Sequence, residues 1–395
     1  MISRKTSRKT TLTRMSLVTS ELATDFPTAK RVVVKIGSST LMGQGGHLDE
    51  EFIADLSGQI AHLVRDGVQV VLVTSGAIAA GLAPLGFETR PHEVDVLQAC
   101  ASVGQVALIQ TYARAFAQEG LSIGQVLLTR NDTGSRSAYL HARLTMERLL
   151  EMGCVPVVNE NDTVAVDEIK FGDNDSLAAI VGALVGADLV VLMSDIEGLY
   201  TADPHHDPTA QLISRVEKVD DSILGLASGS SSAVGTGGMM TKVRAARATQ
   251  LAGTSMVICL GRRKNVLYDV AMGADIGTRF VPDAGHAPEP ARKLWIGFAG
   301  HDCGSVIIDD GARAALHSRG GSLLPVGVTR VNGTFSRGDV IAVKDEDGVL
   351  IARGITSYSS QEAELTRGMK LDMVGRVVPS LAGVALIHRD ELLVF

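Results

Sequence analysis

Lys35 and Lys242 are the residues whose type and neighbours best fit work on phosphate. Lys35 lies near the end of the apolar run Val32-Val33-Val34-Lys35-Ile36 and is followed by Gly37-Ser38-Ser39. Beyond the carboxyl end of a strand, such a turn lets backbone N–H groups approach phosphate oxygens, while a lysine follows the phosphoryl group as it moves. Thr236-Gly237-Gly238-Met239-Met240-Thr241-Lys242 is a glycine loop leading into a helical stretch over 243–251, with the second lysine at the junction. Two such charges would neutralise what donor and acceptor share in phosphoryl transfer, a reaction of positioning and electrostatics. Taken alone, each lysine also fits a surface position beside an ordinary turn. Neither turn matches G-x-x-x-x-G-K-[ST], and no G-x-G-x-x-G follows a strand, so P-loop and dinucleotide sites lose support.

Three further clusters accompany the lysines. Thr74-Ser75-Gly76-Ala77 is a second strand-to-helix turn of small residues. Asn159-Glu160-Asn161-Asp162 and Gly172-Asp173-Asn174-Asp175 flank the stretch 163–170, whose alternation predicts a β-hairpin able to cover a site. Helix capping explains part of this Asn/Asp content, with Asn174 or Asp175 as caps for an apolar helix from Leu177. The surplus suits an amino-acid ligand, whose ammonium group needs acceptors. Ser194-Asp195 opens a polar loop ending at Pro204 that suits adenine or ribose, although Gly198 and Pro204 also make a structural turn.

The elements that must hold these residues alternate. Strands are predicted at 32–36, 68–73, 123–128, 155–158, 189–193 and 256–260, with helical patterns between them, as in βαβ units around a parallel sheet. Phe52, Ile53, Leu56, Ile60, Leu63 and Val64 recur at helical spacing before Gly67. The Ser/Gly run 228–238 predicts a mobile loop. After 284–290, short strands with glycine turns (306–308, 327–331, 340–343) mark a second, β-rich domain.

The 395 residues suit two domains, and 45% hydrophobic but only 4% aromatic residues predict an aliphatic α/β core. A net charge of -7 argues against a chain devoted to nucleic-acid phosphates. Cys100, Cys154, Cys259 and Cys303 form no C-x-x-C pair and are expected to be reduced, mostly buried thiols. No apolar run reaches the ~20 residues of a membrane span, and the chain is expected in the cytoplasm. Residues 1–30 are expected to be a disordered extension, with Met15 an alternative start.

The runs 34–39, 73–81 (VTSGAIAAG), 159–162, 172–175, 194–204 and 235–242 together resemble the glutamate 5-kinases, in order and spacing, across about residues 31–280. Residues 295–380 resemble a PUA domain through 311–312, 321–327 and 333–339. The resemblance implies the amino-acid kinase fold over 31–287, a three-layer αβα sandwich around an open, mainly parallel sheet, followed by the small β-rich PUA domain. It implies ATP with Mg2+, L-glutamate as acceptor, L-glutamyl 5-phosphate as product and a place at the first step of proline biosynthesis. It assigns ATP to Lys35, Ser194, Asp195 and the loop Thr236, Gly237, Gly238, Met239, Met240, Thr241, Lys242. Lys35, Lys242 and Asp195 would be catalytic, with Asp195 orienting the lysines. Ser75, Asp162 and Asn174 would bind glutamate, with Asn159, Asp173 and Asp175 as weaker candidates; no protein metal ligand is assigned. It further implies a homo-oligomer, proline as feedback inhibitor and glutamyl phosphate reductase as a candidate partner. Kinases acting on aspartate, N-acetylglutamate, carbamate or UMP, and an RNA-binding or RNA-modifying PUA protein, are the alternatives. The 10 Lys or Arg against 12 Asp or Glu in 295–395 disfavour RNA.

Overall fold

A computed structural model describes residues 26–43, 46–129, 136–164, 174–204, 206–227, 238–282, 288–298 and 302–395. The predicted hairpin lies outside these residues except for Thr163 and Val164, as does the glycine loop up to Gly237.

Eight strands, β1 (Arg31–Ile36), β2 (Gln69–Val73), β3 (Ile123–Leu128), β4 (Val155–Glu160), β5 (Leu189–Ser194), β6 (Arg215–Val216), β7 (Ser255–Leu260) and β8 (Thr278–Phe280), form one sheet in the order β3-β4-β2-β1-β5-β7-β8-β6. All neighbours are parallel except β7 and β8. The six predicted strands are all present, each within two residues of its expected ends.

The period-2 alternation of β1 decides where its lysine goes. Val32, Val34 and Ile36 pack into one core with the helix Glu50–Arg65 (Phe52, Ile53, Leu56, Ile60) and the helix Val94–Gln118 (Leu108, Tyr112, Phe116). Val33 packs into the opposite core with the helices Asn174–Val185 and Met239–Leu251. Lys35 has the parity of Val33, so its side chain emerges on the face those two helices cover.

Five further strands, β9 (Gly304–Ile308), β10 (Val328–Gly333), β11 (Val340–Lys344), β12 (Leu350–Thr356) and β13 (Ile387–Val394), form a second sheet in the order β10-β9-β11-β12-β13. The expected end at residue 380 leaves out β13, whose Ile387, Leu392 and Leu393 are buried. The expected break between 287 and 295 contains the helix Ala291–Phe298, which packs on β13 and also on the helix Asn174–Val185, with Trp295 against Ile180. Its apolar content comes from Leu294, Trp295 and Ile296, buried together. Cys100 and Cys259 are buried, whereas Cys303 is exposed.

Candidate active site

The carboxyl ends of β1, β2, β4 and β5 are neighbours in the sheet, so the turns that follow them meet at one edge, where open α/β sheets bind ligands. Lys35 Nζ lies there, 2.7 Å from Asp175 Oδ1. Lys242 Nζ is 3.5 Å from Asp175 Oδ2, and Thr241 Oγ lies 2.8 Å from the same oxygen. All three charged residues are buried, with Asp175 only 2% exposed. Burial pushes the Asp175 carboxyl up, but Lys35 and then Lys242 outweigh it and hold the group well below the usual carboxylate range. It is therefore ionised, and one negative charge spaces two positive ones.

The helices supplying these residues start at the same place. Asn174 and Asp175 open the helix Asn174–Val185, and Gly238 is the N-cap of Met239–Leu251, with no side chain capping it. The first N–H groups of a helix have no intrahelical partner and favour anions. Met239, Met240, Thr241 and Lys242 thus form the helix's first turn instead of the predicted loop. The difference arises because Gly237-Gly238 reads as loop punctuation, while nothing in Met239–Lys242 opposes a helix. Asn174 and Asp175 likewise lie inside a first turn, and their side chains reach across the sheet edge.

Asn174 Nδ2 donates to Thr74 O at 3.0 Å and to Ser75 Oγ at 2.9 Å, and lies 3.2 Å from Asn159 Oδ1. Asn159 Nδ2 in turn donates to Gln105 Oε1 at 2.8 Å. The Asn174 Oδ1 atom is buried with no partner among the described residues. An acceptor left like this costs free energy unless a ligand donor reaches it, as the ammonium group of an amino acid would. The turn itself is held from behind. Gly76 adopts φ +94°, a conformation that favours glycine, and Tyr112 OH lies 3.1 Å from Thr74 Oγ1. A Cβ on Gly104 would fall 1.8 Å from Ala77 O, so the helix Val94–Gln118 presses against the backbone just after the turn.

Lys35, Lys242, Asp175, Asn159, Asn174 and Ser75 are thus brought together. Ser194 is buried at the end of β5 and donates to Asp195 Oδ1 at 3.0 Å, while Asp195 is exposed at the mouth. The carboxylate contacting both lysine ammonium groups is Asp175, whereas the Asp195 carboxylate contacts Ser194. The physical reason is parity and helix register: Asp175 projects between the lysines from a helix on their own face of the sheet. Asp162 is half-buried at the loop after β4. Asp173, Thr236 and Gly237 lie outside the described residues. Thr74, Gln105 and Tyr112 support the site unannounced: Thr74 was legible within its turn, whereas Gln105 and Tyr112 lie inside a long helix with no spacing signal.

Residues 30–259 match the amino acid kinase family. The chain belongs to the amino acid kinase family. Residues 304–378 match the PUA domain. Relatives of this amino acid kinase include a protein of Geobacter sp. (strain M21) named glutamate 5-kinase, 47% identical over 92% of this chain and 97% of the relative. Proteins of the same name from Chromohalobacter salexigens and Burkholderia thailandensis are 46% and 45% identical, over 93% and 92% of this chain and 96% and 97% of theirs. In this amino acid kinase, among the described residues, no helix is long and apolar enough to cross a membrane.

Proposed function

We propose that this chain transfers the γ-phosphoryl group of ATP to the side-chain carboxylate of L-glutamate, giving ADP and L-glutamyl 5-phosphate, the first step toward proline, in the cytoplasm. The observation that carries the chemistry is the pair of buried lysines held on either side of Asp175; the choice of acceptor follows the name shared by the relatives. A carboxylate oxygen of glutamate forms the new bond to phosphorus as the bond to the ADP oxygen breaks. The acceptor is already ionised, so no proton has to move and no general base is required. Lys35 and Lys242 neutralise the equatorial oxygens of the moving group from fixed positions, which costs no reorganisation during reaction. Asp175 keeps the two ammonium groups together, which alone would repel. The N-termini of Asn174–Val185 and Met239–Leu251 fit the anionic tail of the nucleotide, with Ser194 and Asp195 beside it.

Mg2+ bound with the nucleotide would supply further charge neutralisation; among the described residues no cluster of three or more His, Cys, Asp or Glu stands ready to cage an ion. Ser75, Asn174 and Asp162 hold glutamate, with the unpartnered Asn174 Oδ1 accepting from its ammonium group. Coupled ADP-release assays across glutamate, aspartate, N-acetylglutamate, carbamate and UMP test this reading. Glutamate should be the substrate with the highest kcat/KM, and preference for any other acceptor would overturn the assignment.

A further inference from the structure

The helix Met239–Leu251 runs from Lys242 at the active site to a second feature at its far end. A cavity of about 420 Å3 opens there, between this end of the helix and the β9–β13 domain. Lys218, Arg247, Lys293, His317 and Arg389 line it, and Glu289 is the one acid among its described lining residues. Glu289 is already engaged, 3.3 Å from Lys293 Nζ, and among the described residues Arg389 pairs only with the exposed Asp390, at 3.8 Å. Arg247 is half-buried, its guanidinium 5.2 Å from the centre of the Phe395 ring. Burial makes its charge costly, and Asp221, acting through space, offsets part of this. A desolvated guanidinium with no carboxylate against it among the described residues is an unbalanced arrangement, which an incoming oxyanion corrects. Leu316, Leu392 and Phe395 give the cavity an apolar wall for a short carbon skeleton.

We propose that this cavity binds a small organic polyanion bearing carboxylate or phosphate groups, and that its occupation is communicated to the active site along the helix Met239–Leu251. Arg247 stands five residues beyond Lys242, about 7.5 Å along the same rigid rod. The far end of that rod is tied to the entry of the second domain, where Glu289 N donates to Leu251 O at 2.8 Å. A ligand bridging Arg247 to Arg389 therefore clamps the helix against β13. A cavity enclosed between two domains suits a small molecule better than a nucleic-acid strand, which needs an extended basic face.

Calorimetric titration of the full-length chain with citrate, and separately with inorganic phosphate, tests this, with excess ADP present and ionic strength held constant with KCl. Citrate should bind saturably at one per chain, weakened about tenfold in Arg247→Met, as expected for one lost charge-assisted hydrogen bond. Arg389→Gln should weaken it similarly from the other domain, so a folding defect in either variant leaves the test intact. Hydrogen exchange should show citrate protecting 239–251 together with 316–321 and 389–395. Phosphate displacing citrate assigns phosphate-bearing ligands to the site; phosphate failing to displace it assigns carboxylates. No saturable citrate binding at millimolar concentration, equal binding in both variants, or protection confined to the C-terminal domain overturns the proposal. An RNA oligonucleotide that binds through Arg247 and Arg389 while citrate does not overturns it in favour of RNA.

Discussion

Asp175 determines whether two buried lysines can share one site, and that makes it visible in stability as well as in rate. Its carboxyl titrates below its ordinary value of 3.8 because the two ammonium groups outweigh burial. A folded value below the unfolded one means the stabilisation is fully present above about pH 4 and is lost as pH falls toward the folded value. Urea unfolding of the wild type and Asp175→Asn should therefore show a constant gap from pH 5 to 7, shrinking below pH 4 by about 1.4 kcal/mol per pH unit. An equal gap at pH 3 and pH 6 would contradict this account. Lys35 and Lys242 are proposed to act on the moving charge, so Lys35→Ala and Lys242→Ala should each lower kcat by about 100-fold or more in steady-state assays. Asp162→Asn removes the contact proposed to hold glutamate before and during transfer alike, so KM for glutamate should rise with kcat and KM for ATP nearly unchanged. Loss of turnover at saturating glutamate would place Asp162 in the chemical step. The two lysines were legible because each ends a recognisable run beside a small-residue turn. The partner they share was not, because an Asp in an Asn/Asp cluster at a helix start looks like a cap until the strand's parity and the helix's register are known together.

At the scale of elements, the helix Val94–Gln118 was the least legible: its apolar residues run all round it, and its one glycine, Gly104, carries no periodic signal. Yet Gly81 and Gly104 let it approach the helix Ala77–Leu82 backbone to backbone, where a Cβ would meet Cys100 O at 1.9 Å and Ala77 O at 1.8 Å. Gly104→Ala sets two effects against each other. Helix propensity favours alanine by about 1 kcal/mol, but overpacking costs about 1–3 kcal/mol, toward the upper end here because a backbone carbonyl cannot swing aside. The variant should melt at lower temperature and, through displacement of the Ser75 turn, show a raised KM for glutamate. A stabilised variant with unchanged KM would mean that the helix merely slides. Six of the eight strands of the first sheet, by contrast, were legible because β-branched runs bounded by helical periodicity admit few other structures.

For the whole molecule, all the residues proposed for chemistry lie before residue 290, but the helix Ala291–Phe298 belongs physically to both halves. Trp295 covers Ile180 on the helix that begins with Asn174 and Asp175, and Arg292 pairs with Glu391 at 2.9 Å on the other side. A chain ending at 290 should lose about 3–5 kcal/mol of stability from the uncovered aromatic site. One ending at 298 should keep phosphoryl transfer, as measured by melting and ADP release. Equal stability of the two truncations would show the Trp295 contact to be dispensable. The composition change after residue 284 made a second domain legible; its edge was not, because a short amphipathic helix with two apolar neighbours looks the same from sequence as one with a single neighbour.

Trp295 is also the only tryptophan in the chain. Buried where the two halves meet, and packed on the helix that opens the active site, it makes the molecule its own optical gauge. Excitation of the indole reports a single place, without labels: emission shifts to longer wavelength as the halves part and water enters, and any change on adding nucleotide, glutamate or citrate is a movement of this one joint.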